Sequence, residues 1–178
     1  ATGPNQVWSW DITKLRGVNK GESYFLYTIL DIFSRYVVGW MLADREGEDL
    51  ACQLIGESCR KEGIVAESLT IHSDRGSVMT ATSTAKLMER LGVAKSHSRP
   101  RVPDDNPFIE AHYKTFKYQP DFPGTFDGIE TARRHCQRFV HWYNTIHYHS
   151  GIAYLTPLTV HTGQVEAVRN KRQAALDK

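Results

Sequence analysis

The sequence predicts an α/β domain built on a mixed sheet. Segments 6–13, 23–30 and 36–42 are rich in β-branched and aromatic residues, and they follow one another closely enough to pair as consecutive antiparallel strands. Two shorter strand-like segments, 68–72 and 93–97, then alternate with stretches of helical periodicity. Glycines stand where those helices should stop, at Gly63 and Gly92.

Each element has its own signal. Asp31-Ile32-Phe33-Ser34-Arg35 separates the second and third strands and suits a hairpin turn. Leu50, Ala51, Leu54, Ile55, Ser58 and Cys59 form a helical stripe within 48–62. Ala85, Leu87, Met88 and Leu91 do the same within 82–91. The stretch 98–107 holds three prolines and two adjacent aspartates and reads as a loop. A helix should start at Pro107, because a proline there lacks only an N–H that the first turn leaves unpaired anyway. Phe108, Ile109, Tyr113 and Phe116 would form its apolar side, and Pro120 and Pro123 would break it. The longest helix is expected over 129–143, with Asp127 as its cap. There is no internal repeat.

Bulk composition sets limits. The 178 residues make one domain, and 40% hydrophobic residues can fill a core. No apolar run approaches the length of a membrane span, and no signal peptide is visible. The net charge of +2 does not by itself announce nucleic acid, but cations gather locally. Segment 131–150 carries Arg133, Arg134, Arg138 and four histidines without an acid. Cys52, Cys59 and Cys136 form no CxxC pair and read as reduced, buried thiols.

The chemistry lies in the acids. Asp11 ends a strand-like segment, Val7-Trp8-Ser9-Trp10-Asp11. Asp74 ends another, in Leu69-Thr70-Ile71-His72-Ser73-Asp74-Arg75-Gly76, and Glu110 follows after 35 intervening residues at the start of the Pro107 helix. Carboxylates brought together from two strands and a helix make a hard oxygen site, suited to Mg²⁺ or Mn²⁺ rather than zinc. Two such ions about 4 Å apart can hold the attacking and leaving oxygens of an in-line phosphoryl displacement. Asp31 also follows a strand, but it belongs to the hairpin. Lys114 and Lys117 lie four and seven residues after Glu110, on the same helix face. His72 precedes Asp74 by two and would share its side of the strand. His135, Cys136, His141, His147 and His149 match no common zinc spacing.

Trp8-Ser9-Trp10-Asp11-Ile12-Thr13, Ile29-Leu30-Asp31-Ile32-Phe33-Ser34-Arg35, His72-Ser73-Asp74-Arg75-Gly76-Ser77 and Asp105-Asn106-Pro107-Phe108-Ile109-Glu110 resemble the catalytic core of bacterial insertion-sequence transposases, relatives of retroviral integrases. Trp142-Tyr143-Asn144, His149-Ser150-Gly151-Ile152 and Thr156-Pro157 are similar to the C-terminal signature of that family. The resemblance implies a ribonuclease H-like fold, a five-stranded mixed sheet flanked by helices, spanning 5–163, with 164–178 as a basic tail. It makes Asp11, Asp74 and Glu110 both catalytic residues and ligands of Mg²⁺ or Mn²⁺, two ions when DNA is bound; Asp31 is not part of that triad. It puts Lys114, Lys117, Asn106 and Arg75 beside DNA. The partners it implies are transposon ends and target DNA, further copies of the chain, and no membrane. It places the protein in the bacterial cytoplasm at the nucleoid, with an upstream DNA-binding region outside these residues. Thr145, Ile146, His147 and Tyr148 depart from the charged residues the family often carries there, which bears on a DNA contact and not on the triad. A nuclease without strand transfer and a non-catalytic DNA-docking module share many of these features.

Overall fold

The computed structural model describes residues 1–74, 76–97 and 106–177. Strands β1 (Val7–Gly17), β2 (Ser23–Asp31) and β3 (Val37–Ala43) form an antiparallel meander. Helix α1 (Glu48–Lys61) crosses over to β4 (Thr70–Ser73), which pairs parallel with β1. The short α2 (Ser77–Thr80) and α3 (Thr82–Leu91) lead to β5 (Ala94–His97), parallel to β4. The sheet order is β3-β2-β1-β4-β5, so β1 lies between an antiparallel and a parallel neighbour. A two-residue sixth strand, β6 (Thr125–Phe126), pairs with the end of β1 and adds to the five strands expected.

Both faces of the sheet are covered. Alternation along the strands sends Trp8, Trp10, Tyr27 and Ile29 to one side, where they pack with Ala51, Leu54 and Ile55 of α1 and Met88 of α3. Leu15, Leu26, Leu30 and Val37 face the other side and meet α4 (Pro107–Lys117) and α5 (Ile129–Thr145) through Ile109, Phe116, Phe139 and Tyr143. Trp8 and Trp10 are fully buried, which fits core packing rather than base stacking. Helix α3 ends on Gly92 at φ +63, and a Cβ there would come within 2.7 Å of the Ala66 side chain. The cap of α5 differs from expectation: Gly128 holds that position, and no side chain caps the helix. Its backbone φ of +84 explains why glycine serves where aspartate was expected.

Beyond α5 the chain forms a 3₁₀ turn (Ser150–Ile152), α6 (Pro157–His161) and α7 (Val165–Leu176). Helix α7 has no buried residue. His161 of α6 is the anchor of this segment. Its Nδ1 lies 3.0 Å from Ser34 Oγ, its Nε2 lies 2.9 Å from Glu62 Oε2, and its ring stacks on Tyr36. The three cysteines are free, and burial pushes the Cys59 and Cys136 thiols up to about 11 and about 12. Among the described residues, no helix is long and apolar enough to cross a membrane.

Candidate active site

Strand register brings the first two acids together. β1 and β4 run in parallel with Trp10 opposite Ser73, so the next residues along, Asp11 and Asp74, are level. Here one expectation is corrected. Asp11 does not end β1, which continues to Gly17, and Asp11 is paired with Thr28 of β2. The β4 side alone stops at Ser73. The polar Lys14 and Arg16 hid that continuation in the sequence, because alternation with Thr13, Leu15 and Gly17 is itself a strand pattern with one wet face. Asp11 therefore faces the step where β1 loses its parallel neighbour, a setting like the strand-end crevices in which α/β sheets hold ligands.

Glu110 comes from the first turn of α4. Three contacts hold that helix against β1. Ser9 Oγ hydrogen-bonds Asn106 Oδ1, Tyr113 donates its hydroxyl to the Asp11 carbonyl at 2.7 Å, and Lys117 Nζ donates to Thr13 Oγ1 at 2.7 Å. Ser9, Asp11 and Thr13 share one strand face, so α4 runs along the face that carries the first acid. Arg35 of the β2–β3 hairpin stacks its guanidinium 4.1 Å above the Phe108 ring and pins the start of the same helix.

The electrostatics agree with this convergence. Burial raises the Asp11 carboxyl to about 6; a hydrogen bond from Ile12 works against the rise, and the negative charges of Asp74, Glu110 and Glu46 add to it. Burial lowers the Lys117 ammonium from its ordinary value, while Asp11 favours its charge and Arg16 opposes it. The donor set is all carboxylate, with excess negative charge at neutral pH, which suits a hard divalent cation. Among the described residues, no three His, Cys, Asp or Glu side chains are grouped so that they could hold a metal ion, the acids and the histidines alike.

The other expected residues separate clearly. Lys114 and Lys117 are exposed on α4 beyond Glu110. Asn106 is only 1% exposed and is tied to Ser9, so a direct DNA contact finds no support there; it orders the start of α4 instead. Arg75, Asp104 and Asp105, with the rest of the 98–105 loop, lie outside the described residues. Asp31 is fully buried in the hairpin, where Ser34 N and Oγ donate to Oδ1 and Asn5 N donates to Oδ2. His72 Nδ1 contacts Ser96 Oγ at 3.1 Å. His147 packs against the rings of Trp142 and Tyr143, and Ile146 and Tyr148 are exposed. Sequence reasoning missed Tyr113 as a support of Asp11; its place on the apolar side of the helix was legible, and its hydroxyl partner was not. It also missed His112, buried in an aromatic cage of Tyr113, Phe139 and Tyr143 and lowered by that burial to about 3.

Fold and sequence together define an integrase-type core domain. The fold is ribonuclease H-like: the catalytic core of HTLV-2 integrase, solved in complex with magnesium, superposes with a TM-score of 0.67 at 16% identity, covering 89% of this chain and 97% of that one. A chain of the simian T-cell lymphotropic virus intasome, solved in complex with PP2A regulatory subunit B56 gamma, gives 0.71 at 19% identity, covering 90% of this chain and 55% of that one. The chain belongs to the integrase core domain family, whose two patterns match residues 1–103 and 91–157. A transposase for insertion sequence element IS904 of Lactococcus lactis is 32% identical over 88% of this chain. The transposase InsF for insertion sequence IS3A of Escherichia coli is 31% identical over 67% of it. The chain spans 61% of the first relative's length and 40% of the second's.

Proposed function

We propose that this chain catalyses DNA end cleavage and strand transfer, with Asp11, Asp74 and Glu110 as its catalytic acids. The observation that carries this reading is the parallel pairing of Trp10 with Ser73, one residue before Asp11 and Asp74, reinforced by the charges of Asp74 and Glu110 felt at Asp11. The three carboxylates would hold Mg²⁺ or Mn²⁺, two ions when DNA is bound. When bound, such cations lower the pKa of an attacking oxygen and screen the charge building on the phosphate.

The bond changes are two in-line displacements at phosphorus. In the first, a water oxygen bonds to the phosphorus at the transposon end as the bond to the 3′ oxygen breaks, leaving a free 3′-hydroxyl. In the second, that hydroxyl oxygen bonds to a target phosphorus while the target's own 3′ oxygen leaves. The second exchanges one phosphodiester for another and needs no external energy source. Lys114 and Lys117 would contact DNA phosphates next to the cut. Tyr113 and Thr13 fix β1 and α4 so that the acids keep their relation. Self-association is part of the proposal, because two ends must be handled together.

Calorimetric titration of Mn²⁺ into the wild-type chain and Asp74→Asn tests the site directly. Binding in the first that is lost in the second is the expected result. Equal binding in both, or none in either, would remove these acids as a metal site. In the intact protein, Asp11→Asn, Asp74→Asn and Glu110→Gln should each reduce cut and joined products by about 10³-fold or more, in keeping with charge stabilisation by a preorganised site. Cut DNA without joined products from the wild type would leave a nuclease.

A further inference from the structure

Next to the acidic site, an open groove of about 840 Å³ runs along the end of the β1–β2 hairpin. Lys14, Arg16 and Lys20 line it on the hairpin side, with Lys117, Phe122 and Gly124 across. Its cations have a simple origin. Thr13, Leu15 and Gly17 turn inward, so the alternating Lys14 and Arg16 turn outward, and the loop then exposes Lys20. Lys117 links the groove to the acids, since its ammonium is hydrogen-bonded to Thr13, two residues past Asp11.

The four cations of this groove outnumber its one carboxylate. Some surface cations are paired, Arg45 with Asp49, Arg133 with Glu130 and Arg169 with Glu166, while others, such as Arg60, Lys86 and Arg90, stand singly on helix faces among the described residues. Among the described residues, Lys14, Arg16, Lys20 and Lys117 form no ion pair. The carboxylate in the groove belongs to Glu22, which accepts from the Tyr24 hydroxyl and from Asn19 Nδ2 at 3.1 Å. Glu22 also folds against Gly17, where a Cβ would sit 2.4 Å from its carboxylate oxygen. Glycine at that position therefore lets the loop close over its own acid and leave the cations facing out. In a chain of net charge +2, four cations without ion pairs line this one cleft.

We propose that this groove is a phosphate-backbone track that holds duplex DNA beside the acidic site without reading its sequence. The proposal rests on the DNA-processing reading of that site and adds a second contact region, made by the β1–β2 hairpin. Long, flexible cations suit phosphates, and Asn19, the one amide side chain in the lining, is already engaged by Glu22.

The test is fluorescence anisotropy with a labelled duplex of arbitrary sequence, over a range of salt, with EDTA present so that metal binding does not contribute. Lys14→Glu/Arg16→Glu/Lys20→Glu should weaken binding at least tenfold, and Lys14→Gln/Arg16→Gln/Lys20→Gln should make the log–log salt slope shallower by about 2 to 3. All three side chains are exposed, so the thermal melt should not move. Arg60→Glu/Lys86→Glu/Arg90→Glu changes net charge equally on the α1 and α3 surface and should have a much smaller effect. An equal loss in that control, wild-type affinity and slope in the groove variants, or no binding by the wild type would each overturn the proposal. So would equal, groove-dependent binding to phosphatidylserine vesicles. The Mn²⁺ titration separates the two ideas: an intact metal site with unchanged DNA binding in the groove variants would sink the track and leave the catalytic reading standing.

Discussion

Asp11 and Asp31 sit on neighbouring strands, in similar motifs, and have opposite fates. Asp31 is fully buried, and its carboxylate accepts from Ser34 N, Ser34 Oγ and Asn5 N. Its charge is spent on closing the β2–β3 hairpin and holding the N-terminal segment. Asp11 is also largely buried, but the charges of Asp74, Glu110 and Glu46 bear on it and its carboxyl rises to about 6. A saturated carboxylate stabilises the fold, whereas a desolvated one facing like charges costs stability and is poised for a cation. Position at a strand end does not separate the two; the company each carboxylate keeps does.

The sharpest way to break this comparison is to remove each acid. Asp31→Ala removes the acceptor of Ser34 N, Ser34 Oγ and Asn5 N and should destabilise the chain by about 3 kcal/mol, lowering Tm by about 6–12 °C. A calorimetric melt checks this, and a loss within 1 °C would mean that water replaces the carboxylate at no cost. Asp11→Asn should do the reverse. The folded carboxyl holds its proton to about pH 6, against 3.8 for the ordinary group, so folding takes up a proton between those values. Wild-type stability from this group is therefore full below about pH 4, falls as pH rises to about 6, and stays low above. The asparagine variant escapes that loss, and at pH 7.5 it should be more stable by about 1–3 kcal/mol. The gap should close as melts are repeated towards pH 4. A variant no more stable than wild type at pH 7.5 would deny Asp11 its strained state. In the wild type the same proton should weaken Mn²⁺ binding as pH falls through about 6.

Much of this was legible in the chain. Strand and helix order followed from hydrophobic period and glycine stops, because α1 and α3 are amphipathic and the meander strands are short and apolar. The three proposed acids were singled out by their motifs. What the sequence did not show was long-range. β1 was cut short at Thr13 because Lys14 and Arg16 look like a turn until β2 is seen pairing with them. Asn106 looked like a substrate contact because amides serve both purposes, and its burial depends on Ser9, far away in sequence. The C-terminal helices were missed because α7 buries nothing and α6 is only five residues long; His161, Ser34 and Glu62 hold α6 through contacts made after folding.

The smallest test bears on what aims Asp11. Register with β2 and β4 fixes its backbone, and the Tyr113 hydroxyl adds bonds to the Asp11 carbonyl at 2.7 Å and the Leu26 carbonyl at 3.3 Å. Tyr113→Phe keeps the ring and removes only those bonds, so it should cost about 1 kcal/mol in a denaturant melt. If the hydroxyl also holds Asp11 towards Asp74 and Glu110, Mn²⁺ affinity should fall severalfold in fully folded protein, and its pH midpoint should drop as the like charges move apart. Asp31, whose partners lie elsewhere, should be untouched by the change. A phenylalanine variant that lost stability yet bound Mn²⁺ with wild-type affinity and midpoint would reduce Tyr113 to packing, and strand register alone would then account for the difference between the two aspartates.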